Sequence, residues 1–339
     1  MSPTWKLTAL LLLSTWVAAR ADASPREGGG PVKILSDEEA WDRLPATHEG
    51  RRPTLPNWAR ATADALPRTT AAMLELDRLH RNKSPLGPAL RGKMRWVAAD
   101  ANRCEYARAT AEADLRRAGI GDEAIATLKA GPDRWPAADR AALEFAAQMS
   151  IDASKVTDGE VEALRVAHGE KKLAAMVLLL ASANFQDRLL LGLGTKLEAG
   201  GPLPPVEVRF FRVDPFPAVP ARAKPEDLRG PAVAERVDDP EWAAIGFDAL
   251  QRSLTTQKAN AGRVRVPTFQ EVMRTYPADY PKPKSPMRIK WSLVAFGYAP
   301  EMAAAWSRCM RAFEAEAKLD EVFGESLFWV VTRSIHCFY

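Results

Sequence analysis

Cysteine is scarce in this chain of 339 residues: Cys104, Cys309 and Cys337 are the only three. That number cannot build a disulfide framework, so any fold must rest on a buried apolar core. Histidine is nearly as rare, at four. His48, His80 and His168 are scattered, with no His-x-x-x-His or Cys-x-x-Cys spacing for a metal and no Cys-x-x-Cys-His signal for haem. No metal or organic cofactor is therefore expected. Charge of one sign is also lacking, since 47 basic and 43 acidic side chains leave a net charge of +4. This balance argues against a dedicated polyanion binder, and nucleic acid is not an expected partner. The long apolar run Leu173 to Leu193 is broken by Asn184, Gln186, Asp187 and Arg188. Such groups are costly in hydrocarbon, so it reads as a buried core helix and no membrane span is expected in the mature chain. Gly192-Leu-Gly194 follows a helix rather than a strand and reads as a helix stop, not a dinucleotide loop.

What is present is apolar surface. Ten tryptophans, twelve phenylalanines and a hydrophobic share of 47% exclude disorder throughout. The length suggests two domains. At the start, Lys6, the apolar stretch Leu7 to Ala19 and the small-residue pattern Ala21-Asp22-Ala23 read as a secretory signal over residues 1–23. The mature protein is then expected to be secreted or periplasmic.

From residue 36 to 198 the apolar spacing is helical almost throughout, and this is read as an all-α domain. Pro67 and Pro136 suit first-turn positions, Gly119 suits a helix end, and Thr157-Asp158-Gly159-Glu160 has capping-box spacing. Residues 199–286 are dense in proline, which predicts an extended connection. A short strand over Val206 to Val213 and a short helix over Trp242 to Ser253 are expected within it. Helix is expected again over 287–339.

The most informative pattern is internal. At a constant offset of 233, Trp58 to Tyr106 lies on Trp291 to Tyr339 without a gap. Trp58/Trp291, Pro67/Pro300, Ala71/Ala304, Ala72/Ala305, Arg78/Arg311, Leu86/Leu319, Trp96/Trp329, Val97/Val330, Cys104/Cys337 and Tyr106/Tyr339 coincide. Rare residues among the matches predict a duplicated helical unit. The first copy runs on to Leu197 while the second stops at Tyr339, so the second copy is expected to be incomplete and the sequence a fragment of a longer protein.

Asn102 is read as a helix N-cap, which puts Cys104 in the first turn of the next helix. The helix dipole, with Arg103 and Arg108 nearby, then favours thiolate at Cys104. A buried thiol acting only as a small hydrophobe is the alternative. Cys309, flanked by Trp306 and Phe313 on neighbouring turns, is expected in the core, and Trp96 and Trp329 are expected to pack helices.

The run Asn102-Arg-Cys104-Glu-Tyr106, with Arg117-Ala-Gly119-Ile-Gly-Asp-Glu-Ala-Ile125, Ala138-Asp-Arg-Ala-Ala-Leu143-Glu-Phe145 and the apolar helix after Gly169, resembles the carboxymuconolactone decarboxylase and alkylhydroperoxidase D (AhpD)-like family. The resemblance covers about Leu55 to Leu197 and, through the repeat, Met287 to Tyr339. It implies an AhpD-like helical bundle that assembles as a trimer or higher oligomer, a small-molecule peroxide or lactone substrate and, for peroxide, a thiol reductant of unknown identity. The family's peroxidase motif is a glutamate, then Cys-x-x-Cys beginning twelve residues later, then a histidine four residues past the second cysteine. Its implied antioxidant, peroxiredoxin-type chemistry is attack of thiolate on the O–O bond, followed by disulfide resolution. In the first copy Cys104 is kept, while Gly92, Ala107 and Ala111 stand at the other three positions. In the second, Glu325 lies twelve residues before Cys337, and the remaining positions fall after Tyr339. His336 neighbours Cys337 but does not match the motif. The resemblance thus makes Cys337, Glu325 and Cys104 the candidate catalytic residues, with peroxide turnover expected to be impaired in this chain. A decarboxylase-like small-molecule enzyme and a non-catalytic oligomerisation module are the alternatives.

Overall fold

The computed structural model describes residues 32–48, 52–210 and 262–334 apart from 284 and 288, together with 248–249, 251–252 and 255. The signal over 1–23, residues 211–213 of the expected strand, most of the expected helix Trp242 to Ser253, and both His336 and Cys337 lie outside the described residues. Among the described residues the protein is all-α, with no strand.

Helix starts follow local chemistry. Helix α1 (Asp37–Arg43) opens on a capping box in which Ser36 and Glu39 satisfy each other's backbone N–H, an arrangement worth about 1 kcal/mol. Helix α2 (Asn57–Thr62) is short. Helices α3 (Pro67–Asn82) and α4 (Pro88–Ala101) each begin on proline, whose missing N–H costs nothing in the first turn. Helix α5 (Glu105–Arg117) ends where Gly119 takes φ 79. Helices α6 (Asp122–Lys129) and α7 (Ala137–Ile151) follow, with Pro136 at the N-cap of α7 rather than inside its first turn. Helix α8 (Asp158–Leu193) starts on the Thr157/Glu160 capping box and stops at left-handed Gly194. Gly169, at φ 75, breaks it into two stretches, a conformation that favours glycine. The second stretch is apolar enough to cross a membrane by length and composition, yet Leu173, Met176, Leu180 and Ala183 are buried in the bundle core with Trp96, Leu115 and Leu143.

After α8 the chain runs extended across the bundle to Phe210. Val206 and Val208 are buried, and the carbonyl of Leu203 accepts from Arg81 Nη2 at 2.9 Å. The strand expected from Val206 is not formed over its described part: a single antiparallel bridge joins Thr47 to Phe210.

The C-terminal part comprises α9 (Phe269–Thr275), α10 (Lys290–Tyr298), α11 (Pro300–Glu316) and α12 (Glu321–Ser334). Helix starts Asn57 and Lys290, Pro67 and Pro300, and Pro88 and Glu321 all stand 233 residues apart. The residues entering α3 and α11 share an uncommon backbone conformation, φ −136 ψ 57 at Leu66 and φ −141 ψ 63 at Ala299. These two helices pack antiparallel on each other. Leu76 and Leu79 meet Met302 and Ala305 along the seam, and Glu316, at the end of α11, accepts the backbone N–H groups of Arg68 and Thr69 at 2.7 and 2.8 Å. Tryptophan behaves unequally at matched positions. Trp96 is 5% exposed, while Trp329, expected to pack between helices, is 47% exposed. The face of α4 that carries Trp96 is covered by α5, α7 and α8.

Candidate active site

Helix α3 buries Met73, Leu76 and His80 along one stripe. That spacing puts an imidazole where the helical pattern calls for an apolar side chain. Helix α4 does the same with Arg91 and Arg95, one turn apart and 3% and 8% exposed. These three residues face α5 and α8 around a cavity of about 60 Å³. Tyr106, Ala107, Ala111 and Asp114 line it from α5, Ala183 and Gln186 from α8, and Leu203 and Pro204 from the strap.

Most of the buried charge is paired. The Asp114 carboxylate accepts from Arg81 Nε and Nη2 at 2.9 and 2.7 Å, from Arg91 Nη2 at 2.9 Å, and from Arg117. Burial works against ionising this acid, but the Arg81 hydrogen bonds and the surrounding guanidinium charges hold it below the usual carboxylate range. Asp187, fully buried, accepts from Arg95 and from Asn102 Nδ2 at 2.9 Å. Two polar atoms stand apart from these networks: His80 Nδ1 and Arg91 Nε are buried without a hydrogen-bond partner. Burial pushes the His80 imidazole down to about 4, with Asp77 opposing and Arg91 and Arg95 reinforcing the shift. His80 is therefore neutral at pH 7.

Cys104 lies beside this cavity without lining it, in the apolar cluster that also holds Tyr106, Ala107, Leu190 and Cys309. The expected helix register is corrected here. Asn102 closes α4 as its C-cap, Arg103 takes a left-handed φ of 56, and Cys104 is itself the N-cap of α5. The expected thiolate is outweighed as well. Burial, then the charge of Asp187, pushes the Cys104 thiol up to about 11, against the backbone N–H of Ala107 and the charge of Arg95. Arg108, expected to assist, pairs instead with Asp100 at 2.9 Å. Cys309 is fully buried and is pushed up to about 12 by burial and Glu316.

The other motif positions separate. Ala107 and Ala111 line the cavity, where the family pattern would place a second cysteine and a histidine. Gly92 occupies a close approach between α4 and α5, and a Cβ there would stand 2.7 Å from Leu115 Cδ2. A side chain at that position requires Leu115 to move. Glu325 is exposed on α12 and forms no part of the cavity wall. Among the described residues no group of three or more metal-ligating side chains gathers.

Sequence reasoning missed His80, Arg91 and Arg95. The available signal was charge within an apolar stripe: His80 in register with Met73 and Leu76, and Arg91 and Arg95 in register with Met94 and Ala98. No family model, curated protein or solved structure matches the chain.

Proposed function

We propose that this protein is a small-molecule enzyme in which His80 transfers a proton within the cavity between α3, α4, α5 and α8, on a duplicated AhpD-like helical scaffold. The observation that carries this reading is that the unpartnered Nδ1 of His80 and the unpartnered Nε of Arg91 belong to two buried residues lining one cavity. A buried polar atom without a partner costs roughly 1–3 kcal/mol, which a bound molecule that donates to the imidazole or accepts from the guanidinium would offset. An imidazole unprotonated at pH 7 is free to accept a proton, its lowered pKa making it a weak base, and a guanidinium 3% exposed, where solvent screening is weak, stabilises the negative charge left behind. The matched helix starts at an offset of 233 and the position of Ala107 and Ala111 in the cavity wall support the scaffold part of the proposal.

The reading moves the chemistry from sulfur to nitrogen. A one-cysteine peroxidase remains as the alternative, and it would need Cys104, a buried thiol, to ionise. Export through residues 1–23 and assembly through the helical lobes belong to the same proposal. A thiol reductant belongs only to the peroxidase alternative.

The test is proton exchange into heavy water, followed by NMR on a panel of small lactones and 2-oxo acids with the full chain. A His80→Gln variant is expected to lose at least about 100-fold of any exchange, with its helical circular dichroism intact. Equal rates in wild type and variant would remove His80 from the chemistry. In parallel, thiol-dependent peroxide consumption abolished by Cys104→Ser would favour the peroxidase alternative.

A further inference from the structure

The three arginines of the cavity wall are compensated unequally. Arg81 bridges two carboxylates, meeting Asp77 at 3.1 Å and both oxygens of Asp114 at 2.9 and 2.7 Å. Arg95 makes two bonds to Asp187, one of them at 3.1 Å, and a third to Gln186 at 3.2 Å. Arg91 makes one, from Nη2 to Asp114 Oδ2 at 2.9 Å, and Arg81 Nε already uses that oxygen. The other oxygen of Asp114 is shared by Arg81 and Arg117. The ion-pair network around Asp114 therefore holds three guanidinium groups, those of Arg81, Arg91 and Arg117, against the carboxylates of Asp77 and Asp114. The Arg117 side chain is 38% exposed and shares its charge with water, whereas that of Arg91 is 4% exposed. Glu198 stands behind Tyr106, accepting its hydroxyl at 2.6 Å, and among the described residues forms no ion pair. Arg91 is thus the buried cation of the wall with the least compensation, and its Nε has no partner. Burial works against all three guanidinium charges. It prevails at Arg91, whose pKa is lowered, and is outweighed by the carboxylates at Arg81 and Arg95, whose pKa values are raised.

A neutral molecule in the cavity would leave this guanidinium short of negative charge, and an anion would supply it. A hydrogen bond between two ionised groups is also roughly twice as strong as one between neutral groups, so Arg91 favours an anion over its neutral isostere. We propose that the cavity is a binding site for a small monoanion, anchored by a hydrogen bond from Arg91 Nε. One negative charge matches the surplus of the Asp114 network, while a second would be buried without a counter-charge, at a cost of several kcal/mol. The cavity volume of about 60 Å³ restricts the enclosed part of the ligand to a small group. The inference rests on the reading of this cavity as the working site and adds the charge of what it holds. It does not depend on proton transfer by His80.

The experiment is titration calorimetry on the full wild-type chain at pH 7 and constant ionic strength, with acetate and, separately, with acetamide, its neutral isostere. Acetate is expected to saturate one site and to bind at least about tenfold more tightly than acetamide. Arg91→Met removes the cation and leaves Asp114 its bonds to Arg81 and Arg117. This variant, with its helical circular dichroism intact, is expected to weaken acetate at least about tenfold and acetamide less than about threefold. A second measurement needs no folded Arg91→Met: the Arg91 Nε–Hε resonance of the wild-type chain, assigned by its loss in Arg91→Lys, is expected to shift as acetate saturates. Acetamide that binds as tightly as acetate overturns the proposal and leaves the cavity as a site for neutral molecules. Acetate binding that is unchanged in Arg91→Met, or that leaves the Nε–Hε resonance in place, also overturns it. Silence of both ligands overturns it too, whereas proton exchange lost in His80→Gln would still uphold the cavity as the site of chemistry.

Discussion

Glu75 and Arg308 face each other at 3.6 Å, at the middle of the antiparallel pair α3 and α11. They stand 233 residues apart, the same offset that separates the starts of the two helices, and carry opposite charges. Had both been glutamate, the seam would hold a partly buried like-charge pair, which is destabilising. Asymmetry recurs at the ends of the seam. Glu316 caps α3, whereas Lys83 stands at the corresponding end of α3. The two helices thus share a backbone plan while their side chains are complementary, as an interface within one chain permits and an identical pair does not.

The Glu75–Arg308 pair is expected to show a coupling of about 0.5–1 kcal/mol in a double-mutant cycle with Glu75→Gln and Arg308→Gln. Arg308 also meets Asp279 at 3.2 Å and lies over the Tyr280 ring at 5.4 Å. Its single substitution should therefore cost more than that of Glu75. Urea unfolding of the four proteins checks both statements, and a coupling indistinguishable from zero would remove the pair from the stability of the seam.

Glu316→Ala is expected to destabilise the protein by about 1–2 kcal/mol. Leu66, the N-cap of α3, offers no side-chain acceptor, and Glu316 supplies two backbone acceptances together with the Thr69 hydroxyl bond at 2.7 Å. A carboxylate at a helix N-terminus also meets the positive end of the dipole. Glu316→Gln should recover part of the loss, which thermal melting of the two variants would resolve.

How much of this could be read in the sequence follows from what local rules see. Pro67 and the Thr157/Glu160 box announced their helices because caps act within one turn. The extended strap was legible from proline density. Asn102 misled the register: asparagine is a favoured N-cap, but Arg103 in a left-handed conformation ends α4 first and leaves Cys104 to begin α5. The cavity was illegible to a search for metal and nucleophile spacings because His80, Arg91 and Arg95 come from two helices and pair with carboxylates on two more. Only tertiary packing brings Asp114 and Asp187 to them. Trp329 aligns with Trp96 in the sequence and both lie on helices, but its exposure shows that the alignment does not tell what covers it.

Cys104 is expected to resist alkylation. With the thiol near 11, about one molecule in a thousand carries thiolate at pH 8, and burial blocks even that fraction. Iodoacetamide labelling, read at the Cys104 peptide by mass spectrometry, should be at least about 100-fold slower in the native protein than in urea. Native labelling at the rate of a free thiol would restore a reactive-cysteine reading.

Gly92→Glu, which would place a glutamate twelve residues before Cys104, is expected to cost more than about 3 kcal/mol and to give no peroxide turnover. Leu115 is fully buried and its Cδ2 lies 2.7 Å from where a Cβ would stand. The new side chain must therefore displace core and also bury a carboxylate without a partner. A variant as stable as wild type by urea unfolding would mean that α4 and α5 can part at this point.

The acid limb of stability should carry the signature of His80. Its folded pKa, about 4, lies below the ordinary value of 6.5, so between these values the unfolded chain binds a proton that the folded chain refuses. Stability attributable to this group is thus whole above about pH 6.5 and declines as pH falls toward 4. A shift of this size corresponds to about 3 kcal/mol. Asp114, held below its usual range by Arg81, also makes the protein acid-sensitive, but its contribution is lost only as pH falls through its own lower pKa. The two are separated by difference. In carboxylate-free buffers, the free energy of unfolding of wild type minus that of His80→Gln should fall by about 3 kcal/mol between pH 7 and pH 4, with most of the fall below pH 6.5. A flat difference across that range would mean that His80 accepts its proton as readily when folded as when unfolded, and that water reaches the imidazole.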